Sequence, residues 1–241
     1  KSIPFERAQE LGKIIFVDSA AMDEEYINRV SQFGVHVLPD GRFNPGQVET
    51  GDLHVVFSSM HGTASPLLVK LLQKRGLAPD HLHEVPSQKA PDGSFPTAAY
   101  PNPESPAALG ELFKEGRLVW QRLKQAGDPS SRNILLGAAD PDADRTALAE
   151  LINDETGEFH LFGPHQGGIL FADYLVGQLL RTGKLPKNAA FVKTLVTTDS
   201  IRVVIEAYNR EMQAGVEMIE HLVGFKYTGS LLQKAAVKAF R

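Results

Sequence analysis

Short runs rich in β-branched and aromatic residues recur along this chain, separated by longer amphipathic stretches, and that alternation restricts the fold more than any other feature. The runs are Lys13–Val17 (KIIFV), Leu53–Ser58 (LHVVFS), Asn133–Gly137 (NILLG), Ala189–Val196 (AAFVKTLV) and Gly215–Ile219 (GVEMI). They are too short for buried helices and suit buried strands. Between them, apolar residues at helical spacing predict helices over Asp23–Phe33, Pro66–Arg75, Pro106–Gln125, His165–Thr182 and Ser200–Gln213. Ser105 before Pro106 reads as an N-cap, and Gly183 as a helix stop. Strand and helix alternating at this spacing predict an α/β chain layered about a mixed, partly parallel sheet.

Two segments break the rhythm. Val85–Ser105 carries prolines at 86, 91, 96, 101 and 103, and proline fixes φ and removes a backbone donor, so a helix or central strand is excluded there. An ordered loop of this length is often functional. Asp154–Gly157 reads as a hairpin turn between two short strands. Composition excludes several chemistries. The 241 residues contain no cysteine, so disulfides, thiolate metal sites and a thiol nucleophile are ruled out. A net charge of −4 gives no electrostatic reason to expect nucleic acid. No apolar run approaches membrane-span length and no signal-type segment follows Lys1, so no membrane partner and a cytoplasmic setting are expected.

The sharpest chemical signal is Asp140-Pro141-Asp142-Ala143-Asp144-Arg145, directly after a predicted strand. Ligands of open α/β sheets gather at the carboxyl ends of strands. Three carboxylates crowded together raise one another's pKa unless a cation compensates, and hard oxygen donors suit Mg²⁺. Arg145 beside them could fork onto a phosphate. An EF-hand fails, because positions 6 and 12 from Asp140 are Arg145 and Leu151 rather than Gly and Glu. Asp142–Thr146 also fits the D-x-D-x-T pattern that resembles haloacid-dehalogenase-like phosphatases, although that family puts its nucleophile right at the strand end. A solvated acidic turn is the remaining alternative.

His61-Gly62, Pro91-Asp92-Gly93, Phe95-Pro96-Thr97, Pro101-Asn102-Pro103-Glu104, Asp140–Arg145 and Gly224-Phe225-Lys226-Tyr227 follow one another in order. With these motifs the chain resembles the α-D-phosphohexomutase superfamily, the phosphoglucomutase/phosphomannomutase enzymes, and most of all its bacterial phosphoglucomutase and phosphopentomutase-like branch. The resemblance implies two consecutive three-layer α/β domains with mixed sheets: a metal-binding second domain over 1–153 and part of a sugar-binding third domain over 154–241. It implies Mg²⁺ on Asp140, Asp142 and Asp144, Arg145 near a phosphoserine, Lys226 as acid/base, and Thr197 and Thr198 facing a sugar phosphate. The implied reaction moves a phosphoryl group between the serine and the sugar through a bisphosphate.

The family's serine loop is not matched. Thr63-Ala64-Ser65 copies its first letters but continues Pro66-Leu67-Leu68, so Ser65 reads as an N-cap. The sugar-specificity motif expected after Lys226 is absent from Ser230–Arg241. The chain therefore reads as a fragment, inactive alone, whose partners are the first and fourth domains of its parent. The competing reading is a non-catalytic sugar-phosphate or metal-binding module. His81 and His83 read as a surface pair, His61 as cleft lining or a plain loop residue, and Trp120 as core.

Overall fold

The computed structural model describes residues 2–34 and 51–239. Helices α1 (Phe5–Glu10) and α2 (Ser19–Ser31) come first. α2 starts earlier than its apolar pattern suggests because Asp18 caps it, accepting from the Ala20 and Ala21 amides. Strand β1 (His54–Ser58), helix α3 (Ser65–Lys74), the three-residue strand β2 (Leu82–Glu84), helix α4 (Gly110–Gln125) and strand β3 (Ile134–Ala139) follow. Strands β4 (Thr146–Asn153) and β5 (Glu158–Leu161) form the predicted hairpin, with Gly157 at φ 70°. Beyond it come α5 (Pro164–Arg181), β6 (Ala190–Thr194), α6 (Ser200–Met212), β7 (Glu217–His221) and α7 (Phe225–Ala239).

The first sheet has the order β2-β1-β3-β4-β5 and is mixed: β2, β1 and β3 run parallel, while β4 and β5 return antiparallel. Side chains alternate across it. Val56, Ile134, Leu136, Ala147 and Ala149 face α4 and join Leu109, Leu112, Val119 and Leu123 in one core. Val55, Phe57 and Leu148 line the other face with Leu68 and Leu72 of α3. Gly116 lets α4 close onto the sheet, since a Cβ there would lie 2.7 Å from Leu136. Trp120 packs on the core as expected, and its indole N–H reaches Asp154. The β4–β5 hairpin crosses the expected division at 153/154, so this sheet runs on to Leu161. The second sheet pairs β6 and β7 in parallel. Its core is Ala172, Val176, Ile201, Ile205 and Val216.

Lys13–Val17 forms no strand. It is an exposed connection between α1 and α2, with Ile15 82 % exposed; a β-prone run makes a strand only where a neighbour completes its ladder. The helix expected from Pro106 opens as a 3-10 turn over Pro106–Leu109, and Ser105 makes no side-chain cap. Ser65 is not an N-cap either: it is the first residue of α3, and its hydroxyl donates to Glu84 on β2. Gly183 ends α5 at φ 63° as predicted. No helix among the described residues is long and apolar enough to cross a membrane.

Candidate functional site

The acidic residues occupy the connection between β3 and β4, closed by the pair Ala139↔Thr146. Asp140 is fully buried at the end of β3. Its Oδ1 accepts from the Asp144 and Arg145 amides, both at 3.0 Å, and its Oδ2 faces Arg145 Nε at 2.8 Å. Its carbonyl accepts from the Ala143 amide, and Ala143 sits at φ 61°. Asp140 thus folds the loop around itself, which turns Asp142 and Asp144 outward. One ligand atom from each of Asp140, Asp142 and Asp144 lies within 4.8 Å of the others.

Charge follows from this geometry. Burial alone would push the Asp140 carboxyl up, but the Arg145 amide and guanidinium outweigh it and hold it below the ordinary value. Asp144 is pushed the other way, first by the charge of Asp142, then by burial and by Asp140. Arg145 is held protonated chiefly by its bond to Asp140, with Glu104 of the proline-rich loop adding to the field. One guanidinium thus stands against three carboxylates, and the surplus negative charge faces solvent. The donor set is all oxygen, carboxylate and close-set, which fits a hard divalent cation.

Two further loops frame the acidic one. His61-Gly62-Thr63 follows β1, with Met60 at φ 47° and His61 at φ 62°. The amide and hydroxyl of Thr63 both donate to the Pro141 carbonyl, at 3.0 and 3.2 Å. Gly62 lies flush against the same residue: a Cβ would stand 2.2 Å from Pro141 Cα. The proline-rich loop has no regular element, yet it is held by fully buried Gln88. That side chain accepts from Ser58 at 2.6 Å and donates to Thr97 at 3.0 Å, and the backbone carbonyl of Gln88 accepts from the His61 amide. Thr97 in turn bonds His61 Nε2 at 2.9 Å. Of the non-glycine residues described at positive φ, Met60, His61, Phe95 and Ala143 lie in these three loops and only Gln213 lies elsewhere. Such backbone strain concentrates at functional sites.

The other predicted residues sit on the second sheet. Thr197 and Thr198 follow β6, and Lys226 follows β7, so all three share the carboxyl edge of a parallel pair. Thr197 bonds Thr194 at 2.9 Å, and Thr198 accepts from the Ser200 amide. Lys226 is exposed in the first turn of α7, its Nζ 5.0 Å from the Tyr227 ring centre. Among the described residues no hydrogen bond or ion pair joins these three to the acidic loop. The sequence did not single out Lys193, which is buried under the turn at Thr197. It donates to the Thr197 carbonyl at 3.0 Å and pairs with Asp199 and Glu220. A charged residue inside an apolar run was its one visible signal.

His81 and His83 are not a surface pair. Ser130 donates to Asp128, so its oxygen accepts from His54 Nε2 at 2.9 Å. His54 Nδ1 then accepts from His83 Nε2 at 3.0 Å, and His83 Nδ1 faces Arg122 at 3.3 Å. His81 stacks on His54, ring centres 4.1 Å apart. Burial, followed by the charge of Arg122, lowers the His83 pKa to about 4. This cluster lies at the amino end of β1, opposite the acidic loop.

The family profile of phosphoglucomutase/phosphomannomutase, alpha/beta/alpha domain II, matches residues 24–151, and the chain belongs to this family. It is 31 % identical over 180 residues to a probable phosphomannomutase of Haemophilus influenzae, covering 75 % of this chain and 32 % of that protein. A phosphoglucomutase of Staphylococcus epidermidis is 30 % identical over 182 residues, 76 % of this chain and 29 % of its own length. A phosphopentomutase of Mus musculus is 31 % identical over 179 residues, 74 % and 26 %. The chain thus spans about a third or less of these relatives. A crystal structure of a phosphoglucomutase/phosphomannomutase family protein from Burkholderia thailandensis superposes with TM-score 0.57 at 18 % identity, covering 88 % of this chain and 35 % of that one, which supports the shared fold.

Proposed function

We propose that this chain is the metal-binding domain and part of the sugar-side domain of a sugar-phosphate mutase, one that exchanges hexose 1-phosphate and 6-phosphate. The observation that carries the reading is the convergence of Asp140, Asp142 and Asp144 within 4.8 Å, in a chain of this family. Asp140, Asp142 and Asp144 would hold Mg²⁺, which when bound neutralises charge on a transferring phosphoryl group. Arg145 spends its Nε on Asp140, and its two terminal nitrogens fit the fork that binds phosphate oxygens. Lys226 would carry the sugar hydroxyl proton, and Thr197 and Thr198 would bind the sugar phosphate. The phosphorylated serine lies outside these 241 residues, and the first and fourth domains of the parent supply it together with the remaining phosphate contacts. The reading places the enzyme in the cytoplasm.

A phosphatase reading would make Asp142 the nucleophile. The strand-end position belongs instead to Asp140, whose Oδ1 is held by two amides and whose Oδ2, beside Arg145, keeps a lone pair for a cation. Titration with Mn²⁺, read by the loss of its free-ion resonance, tests the metal site. The chain binds one ion, and Asp142→Ala weakens it at least about tenfold. Equal binding by Asp142→Ala removes the metal assignment.

A further inference from the structure

We infer that Gly62 and Thr63 are positioning residues for the acidic loop: they fix the height of Pro141, and with it the spacing of the three carboxylates. The inference rests on the metal reading above, but its observations are separate. The acidic loop is short and hydrogen-bonded within itself, and it leaves a strand that pairs with β1 as far as Ser58↔Ala138. Among the described residues its hydrogen bonds to the segment after β1 all fall on Pro141, between Asp140 and Asp142. From below, the Cα of Gly62 touches the Pro141 backbone so closely that a methyl group there would lie 2.2 Å from Cα and 2.4 Å from the carbonyl oxygen. From the side, the Thr63 amide and hydroxyl both donate to that same carbonyl.

Neither contact can be relieved by a flexible side chain, because each meets backbone. Proline also fixes φ at 141, so displacement there is passed on to Asp140 and Asp142. Gly62 is itself held: the neighbouring His61 amide donates to Gln88, and the His61 carbonyl accepts from Asp92. Residues that orient metal ligands in this way typically change metal affinity by roughly 10- to 100-fold when altered.

The test is Mn²⁺ affinity of the whole chain, measured by electron paramagnetic resonance for wild type, Gly62→Ala, Thr63→Val and Thr63→Ser, with thermal unfolding alongside. Gly62→Ala is expected to lose at least about tenfold in affinity. Thr63→Val loses about threefold, and Thr63→Ser, which keeps the hydroxyl, recovers wild-type binding. Wild type and Gly62→Ala binding within twofold of each other would overturn the inference. Should Gly62→Ala fail to fold, the Thr63 pair decides: equal affinity for Val and Ser overturns it. A wild-type chain that binds no Mn²⁺ removes the metal reading itself, a result distinct from either.

Discussion

The two ends of the first sheet gather polar residues in opposite ways. At the carboxyl end, three carboxylates share one arginine, two of them are exposed, and like charges push Asp144 up. At the amino end, every step from Arg122 through His83, His54 and Ser130 to Asp128 joins a donor to an acceptor. One end is left with a surplus of charge for a ligand, and at the other the chain of bonds is matched step by step, with His81 Nδ1 beside it buried and unpartnered. Polarity and burial do not tell a site from a staple. The surplus of unmatched charge does.

That comparison can be broken at several points. The largest effect is expected at Asp140, where site and staple coincide in one residue. Asp140→Ala strands two amides and Arg145, so urea denaturation should show a loss on the order of 2–4 kcal/mol, together with loss of Mn²⁺ binding. Next comes acid. His54 and His83 have folded pKa values below the ordinary 6.5, so the native state binds fewer protons than the unfolded chain. Their contribution is complete above pH 6.5 and declines as pH falls below it, for His83 down to about 4. Urea midpoints measured from pH 7.5 to 4.5 should fall accordingly. His83→Gln, which keeps one donor and one acceptor, should flatten that slope at a cost of about 1 kcal/mol at neutral pH. An unchanged slope would mean that the histidines are not the acid-sensitive element. The smallest effect is expected at exposed Asp142: Asp142→Ala should leave stability within about 0.5 kcal/mol while cation affinity falls. Marked destabilisation there would make the acidic loop a second staple.

Helices α2 to α6 were legible because apolar spacing and a glycine stop are local signals, whereas α1 and α7 were not predicted. Strands β1, β3, β6 and β7 were legible within two residues for the same reason. Lys13–Val17 misled because a strand is made by its neighbour, and β2 escaped notice because three residues carry no periodicity. The acidic loop could be read because its members are consecutive. The histidine chain could not: His54, His83 and Ser130 meet only through the parallel register of β1 with its neighbours. Gln88 and Gly62 were hidden likewise, since their partners lie across loops whose approach no spacing encodes. Lys226 stands in the first turn of α7, a helix that the apolar pattern did not announce.

The mixed sheet also dictates an order of assembly. β3 and β4 are joined by six residues and can zip locally, whereas β1 and β3 pair residues as distant in sequence as His54 and Ile134. Closing that long stretch of chain costs more entropy and is slower. The acidic hairpin is therefore expected to form first, with its carboxylates crowded and Pro141 unsupported. The His61–Thr63 platform is expected to follow, the site taking its final shape when β1 and β3 have met.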